Sequence, residues 1–437
     1  MLNNILKYKE HENGGLSKSN TECLLKDSYS YLFPKKKNDG LCYCIRKHDD
    51  NYNLDLSYFI GLDWLDRDKS AIYVESKLNV IDEKESKTYE IDYVKMLFSS
   101  LNNTEVRDDI KELFLVKWDE PTIEIEQKQD LLTPFLVAEF LSVLKTIVRK
   151  GLKKSYYRVE ENLNSRVKGK VMITKSIKHN LMRNKNLYTF CNYEVFGLDN
   201  KENRLLKKAL VFVKRYLPNY LEYSNKDSKQ PNYLQNTLNY ISPAFDEVSA
   251  DIELNEIKHT KMNSFYKEYA EAIRLAKLIL KRFGYNISNT SQQKVNTPPF
   301  WIDMSKLFEV YVLGLLKERF FKDVKYQYSP DRCNELDFLL NTKDYKMVID
   351  AKYKLRYLKG NHEEDIRQLS GYARLNSVYE ALGIDKSKLI DCLIIYPDME
   401  NGVDRIGEDV ELKSEDNKIK QYSQVYKLGV KLPIISK

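Results

Sequence analysis

The sequence predicts a mixed α/β (α+β) protein: an N-terminal mixed region followed by a C-terminal domain with a central mixed β-sheet flanked by helices. Three observations predict it. Residues 334–354 read as a β-hairpin, helical spacing of apolar residues recurs at 305–321 and 365–374, and an apolar strand follows at 392–396. The resulting order is helix, strand, strand, helix, strand, which suits a sheet covered by helices.

Residues 1–125 mix short strand-like runs (54–62, 70–78, 122–126) with an amphipathic helix around 91–101, which reads as a small α+β domain; 13–15 and 35–40 are turn-rich. Residues 126–255 form a second domain. It holds a helix at 131–150, a strand-rich piece at 156–176, and a long helix at 203–216 with Leu205, Leu206, Leu210, Val213 and Tyr216 at helical spacing. Asn200 is the expected cap of that helix. A polar, proline-containing stretch at 224–232 reads as a loop. The third domain spans 256–437 and opens with a helix at 264–283, closed by Gly284 and expected to pack on the C-terminal sheet.

Composition bounds the reading. A chain of 437 residues suits two or three domains, and a net charge of +7 is compatible with a polyanionic partner. The most apolar run, 131–148, contains Glu139 and Lys145 and reads as a buried helix; residues 1–7 lack the apolar stretch of a signal peptide. The expectation is a cytoplasmic, reduced protein with no membrane contact. Six scattered cysteines suggest no disulfide framework, and Cys42, Cys44 and His48 do not have the spacing of a zinc knuckle. Lys35 to Lys37 is a basic run best read as a solvated loop. Gly169-Lys170 is followed by Val171, which offers no hydroxyl for Mg²⁺, so the chain carries no P-loop.

The chemistry concentrates in the C-terminal hairpin. Side chains two apart on a strand share a face, so Asp350 and Lys352 point together, and Asp337 lies on the neighbouring strand. Two carboxylates beside a lysine suit a hard divalent cation and phosphodiester cleavage. An Asp-x-Lys at a strand end is by itself ordinarily a solvated salt bridge. Two helices strengthen the sharper reading. In 305–321, Glu309 interrupts an apolar face of Leu307, Val310, Tyr311, Leu313, Gly314 and Leu315, where a carboxylate needs a partner or a metal. In 365–374, Asp365, Gln368 and Tyr372 share one face.

In order and spacing, residues 300–397 resemble the PD-(D/E)xK nuclease superfamily, with the Gln-x-x-x-Tyr helix of its RecB-like branch at Gln368 and Tyr372. The naming Pro-Asp is absent at Asp337, which Leu336 precedes; Pro330-Asp331 falls six residues too early and reads as a turn. Residues 158–210, with the basic stretch Arg166, Lys168 and Lys170 and the helix start Asp199, Asn200, Asn203 and Arg204, resemble McrC-type restriction subunits. So does the Pro298 to Val312 segment and, more loosely, 58–77.

The resemblance implies an Mg²⁺-dependent endonuclease, with Mn²⁺ able to substitute. Asp337, Asp350, the Ala351 carbonyl and Glu309 would hold metal, and Lys352, Gln368 and Tyr372 would act on or support the attacking water. It further implies an AAA+ GTPase partner of the McrB type, engaged through residues 1–255, with GTP used only by that partner and double-stranded, modified DNA as the target. Arg166, Lys168 and Lys170 are candidate contacts to the partner, a solvated or DNA-facing strand being the plainer alternative. Two rivals are a non-catalytic activator on a nuclease fold and a stand-alone RecB-like repair nuclease. Intact Asp337, Asp350 and Lys352 argue against the first. The McrC-like middle segment argues against the second, as does the lack of an iron–sulfur cysteine set.

Overall fold

The computed structural model describes residues 4–16, 28–34, 40–48, 51–66, 70–82, 87–100, 113–126, 130–224, 233–256, 266–284, 294–329, 335–358, 360 and 362–436. It divides into two compact units. One comprises Met1–Leu132, Tyr223–Ser228 and Gln292–Lys437, and the other Thr133–Glu222 and Lys229–Ser291.

In the first unit the N-terminal region and the C-terminal third are built together. Strands Asn4–Lys9, Ser70–Glu75, Phe59–Asp66, Phe300–Asp303 and Phe114–Val116 lie in that order in one sheet, with the first pair parallel and the others antiparallel. Phe300–Asp303 fits because Gly61 lets the backbones close: a Cβ there would stand 2.1 Å from the Phe300 carbonyl oxygen. Asp63, buried beneath this joint, accepts from Trp301 Nε1 (2.9 Å) and Lys117 Nζ (2.6 Å). A four-stranded sheet (Asn13–Leu16, Asn51–Leu56, Gly40–His48, Ser28–Phe33) shares a core with it through Phe33, Tyr43, Ile45, Leu54, Ile72 and Trp301. At the other end of the chain, Ile434–Ser436 pairs with Lys87–Ile91.

These pairings correct the expected boundaries. Residues 1–125 do not stand apart from 256–437, because Phe300–Asp303 completes the N-terminal sheet. The expected strand at 54–62 is two strands in different sheets, with the chain turning at Ser57 and Tyr58. The helix expected at 91–101 runs over Tyr93–Ser100.

The C-terminal sheet is mixed, as expected. Its order is Val324–Tyr328, Leu336–Asn341, Lys346–Ala351, Asp391–Pro397, Val425–Val430. The first three strands are antiparallel and the last two join in parallel. The crossover between Lys346–Ala351 and Asp391–Pro397 contains helices Glu363–Tyr372 and Asn376–Leu382. Val348, Leu339, Ile366, Leu369, Val378 and Ile394 pack together beneath that crossover. Helix Met304–Phe320 buries side chains around most of its circumference, and Asp303 caps it by accepting from the Lys306 amide (3.1 Å).

The second unit holds helix Leu132–Lys150, the antiparallel pair Ser155–Asn164 and Tyr188–Gly197, and helices Lys201–Ser224, Tyr233–Ile241 and Lys267–Gly284. Asn200 caps Lys201–Ser224 as expected, its Oδ1 accepting from the Asn203 amide (3.1 Å). The strand-rich reading of 156–176 holds only in part, since Ile173–His179 is helical. Lys267–Gly284 belongs to this unit rather than to the C-terminal sheet. Its Glu268 meets Lys150 (2.5 Å), and the Tyr269 hydroxyl accepts from the Lys153 amide (2.7 Å). Among the described residues no helix is long and apolar enough to cross a membrane. Lys35 to Lys37, Pro330, Asp331 and the loop 225–232 lie outside the described residues.

Candidate functional site

The site is assembled by strand alternation and one crossover helix. Leu339 pairs with Val348 and Phe338 with Ile349; continued by one step, that register sets Asp337 across from Asp350. The Ala351 amide donates to Asp337 Oδ2 (2.8 Å), which fixes the Asp337 carboxyl between the strands. Asp350 is buried, and its Oδ2 lies 2.8 Å from Lys352 Nζ. That contact is an ion pair without hydrogen-bond alignment, so this buried oxygen accepts no hydrogen bond among the described residues. The expected common face of Asp350 and Lys352 is therefore present.

Ile366 and Leu369 bury one side of helix Glu363–Tyr372 and leave Gln368 at the border. Lys352 Nζ donates to Gln368 Oε1 (3.3 Å), and Gln368 Nε2 donates to the Tyr372 hydroxyl (3.1 Å). Asp350, Lys352, Gln368 and Tyr372 thus form one continuous polar chain. Asp365, on the same helix, turns elsewhere. It accepts from Lys354 Nζ (2.8 and 2.9 Å) and from the Tyr357 hydroxyl (2.8 Å). Burial opposes its ionisation, but these two donors outweigh burial and hold its carboxyl below the usual range.

Glu309 has Lys306 Nζ at 3.1 Å and receives Gln327 Nε2 at 3.4 Å. Neither partner was legible as part of a site. Gln327 lies between Tyr326 and Tyr328, which pair with Phe338 and Leu336, and so stands across from Asp337. Its φ is 45°, a left-handed backbone that a side chain other than glycine adopts at a cost. No pattern of residue types announces such a position.

Electrostatics define what the arrangement can hold. Burial, then the charges of Asp350 and Glu309, push the Asp337 carboxyl well above the ordinary carboxylate range. Burial alone would lower the Lys352 pKa; Asp350, then Asp337 and Asp365, outweigh it and hold the ammonium above its usual value. A bound divalent cation would offset the repulsion among these carboxylates. The residues therefore fit a hard cation on two carboxylates. Among the described residues no three His, Cys, Asp or Glu side chains converge as a ready ligand set, so water or substrate oxygen would complete the coordination. Ala351 enters the site through its amide, and Glu309 through its charge on Asp337.

The basic residues Arg166, Lys168 and Lys170 lie in the second unit and are exposed. They follow strand Ser155–Asn164. Gly169 (φ +67°) is packed too closely against Asn192 for a Cβ, which would meet that carbonyl oxygen at 2.6 Å, and Lys168 Nζ lies 4.2 Å from the Tyr193 ring centre.

Residues 115–397 match the model of a family described as McrBC 5-methylcytosine restriction system component. Among solved structures, the chain is similar to a half-complex from a tetradecameric assembly of Thermococcus gammatolerans McrB AAA+ hexamers with bound McrC. The identity is 14%, the match covers 98% of this chain and 94% of that one, and the TM-score is 0.39. A second similar structure is the Thermococcus gammatolerans McrBC complex, at 15% identity, with 71% of this chain and 87% of that one covered and a TM-score of 0.29. No curated protein matches the sequence.

Proposed function

The chain belongs to the McrBC 5-methylcytosine restriction system component family, and from that premise we propose that it is the DNA-cutting subunit of a GTP-dependent restriction complex. The observation that carries this reading is the joined group at the sheet end: Asp337 opposite Asp350 and oriented by the Ala351 amide, and Lys352 held between Asp350 and Gln368. An ordinary surface salt bridge requires neither a second carboxyl facing the first nor a positioned amide behind the lysine.

Asp337 and Asp350 would hold Mg²⁺, or Mn²⁺ in its place, which supplies Lewis-acid activation of the phosphate and of water when bound. The Ala351 amide keeps Asp337 oriented. Lys352 presents its ammonium to the phosphate oxygens and to the attacking water, offsetting charge as it builds. Gln368 and, behind it, Tyr372 limit where that ammonium can go. Glu309 sets the charge around Asp337 and is the weakest candidate for direct ligation, since Lys306 and Gln327 already engage it.

The partner follows from the family and from the missing P-loop. GTP hydrolysis belongs to an AAA+ GTPase of the McrB type, and the target is double-stranded DNA carrying a modified base. Exposed Arg166 and Lys168 are the proposed contact to that GTPase, where an added cation can assist a partner's nucleotide site. The test is cleavage of methylated supercoiled plasmid by the full chain with its co-purified GTPase. Cutting should require Mg²⁺ or Mn²⁺ and GTP and stop on chelation; metal-independent cutting, or none under any of these conditions, contradicts the reading.

A further inference from the structure

A second cluster of buried polar side chains meets at Tyr353, the residue after Lys352. The Lys352 amide still donates to Ile395 O (2.9 Å) as the strand ends, and the chain then tightens, with the Lys354 amide donating to Lys352 O (2.7 Å). Tyr353 is 3% exposed. Its hydroxyl donates to Glu10 Oε1 (2.6 Å) and lies 3.1 Å from Ser76 Oγ. Lys77 Nζ covers its ring at 4.1 Å and reaches its carbonyl at 3.5 Å. Phe308, the residue before Glu309, packs on the same ring with centroids 5.8 Å apart.

Glu10 and Ser76 stand just past the ends of the parallel strands Asn4–Lys9 and Ser70–Glu75, joined by the Glu10 amide to Glu75 O (2.8 Å). One tyrosine therefore ties the end of the catalytic hairpin to a carboxyl 343 positions earlier. Packing alone does not account for this carboxyl. Glu10 is 2% exposed, and its second oxygen has no hydrogen-bond partner among the described residues, an arrangement that costs folding free energy. A buried polar group kept at that cost is explained if it fixes a geometry that matters.

We propose that Glu10 is a positioning residue for Lys352, acting through Tyr353. The tie fixes the backbone at 352–354, so the lysine side chain, which leaves that backbone in the opposite sense to Tyr353, stays within reach of Asp350 and Gln368. Because Phe308 packs on the same ring, the tie also steadies the helix position that carries Glu309. This inference rests on the reading that Lys352 serves phosphodiester cleavage.

The test uses the full chain with co-purified GTPase, Mg²⁺ and methylated plasmid. Glu10→Ala and Tyr353→Phe should each lower kcat about tenfold, with KM for DNA unchanged. Glu10→Gln, which keeps an acceptor oxygen, should recover most of the rate. The Glu10→Ala/Tyr353→Phe double variant should be no slower than either single one, since both break the same contact. Multiplied losses, a change confined to KM, or Glu10→Gln as slow as Glu10→Ala would overturn the proposal. Should Glu10→Ala not fold, Tyr353→Phe, which keeps the ring packing, against Glu10→Gln carries the comparison. If the wild-type chain cuts nothing, the nuclease reading fails by itself, and amide exchange at Lys352 and Tyr353 decides the tie. Faster exchange in Tyr353→Phe with near wild-type exchange in Glu10→Gln supports it, and unchanged exchange in Tyr353→Phe overturns it.

Discussion

Two antiparallel strand pairs in this protein have opposite relations to their surroundings. In the hairpin proposed as the cutting centre, four consecutive residues of Lys346–Ala351 are buried, and Leu336–Asn341 is nearly as enclosed. In the second unit, Ser155–Asn164 and Tyr188–Gly197 pair over ten rungs, yet each buries a single residue, Leu163 and Cys191. Tyr156 (72% exposed) and Phe196 (58%) pair across the ladder with their rings tilted by 53°. The first pair has its residues dictated by a core on both faces, so its few polar side chains are the ones packing does not explain. The second is held by its own ladder and cross-strand pairs, which leaves its side chains free to be chosen for something other than packing.

The largest effect expected from this contrast lies at Lys352. Lys352→Ala should lower cleavage about 10³-fold while leaving Mn²⁺ binding by calorimetry in place, because the ammonium acts on the transition state rather than on the metal. A loss of metal affinity would give Lys352 a different role. Next comes packing. Leu339→Ala, at a fully buried position, should cost about 2–5 kcal/mol in denaturant unfolding, whereas Phe196→Ala should cost only about 0.5 kcal/mol. Comparable losses would erase the distinction between the two hairpins.

Charge reversal sharpens the comparison further. Arg166→Glu with Lys168→Glu should reduce stimulation of the partner GTPase about tenfold while leaving the melting temperature unchanged, since both side chains are exposed. Unchanged stimulation would clear that stretch of the role. The smallest effect concerns Asp337. Its folded-state pKa is raised by burial, then by Asp350 and Glu309, so the group destabilises the metal-free protein increasingly as pH climbs from the ordinary carboxylate range toward that raised value. Asp337→Asn should therefore raise the metal-free melting temperature by about 2 °C at about pH 8 and by almost nothing at about pH 4. With Mg²⁺ present the order should invert, because only the wild type gains from binding. A melting difference independent of pH would contradict the crowded-carboxylate picture.

The hairpin, the helix with Gln368 and Tyr372, and the Asn200 cap were legible in the sequence because local periodicity and capping chemistry act over a few positions. The partnership of Phe300–Asp303 with Phe59–Asp66 was not, since three apolar residues in a row specify burial but not which strand lies beside them. A fragment ending near residue 255 would consequently lack one strand of the N-terminal sheet. The turn at Ser57 was hidden inside a continuous alternating run. Gln327 and Glu10 were illegible for a related reason: each acquires meaning only from a neighbour that is remote in sequence or from a backbone angle that its residue type does not announce.

The most direct measurement is plasmid cleavage by Asp350→Ala, beside circular dichroism and calorimetric titration with Mn²⁺. Asp350 faces Asp337 and Lys352 at once, so its loss should abolish cutting and weaken metal binding while the folded spectrum is retained. Full cutting by a well-folded Asp350→Ala protein would contradict the assignment of the hairpin as the catalytic centre.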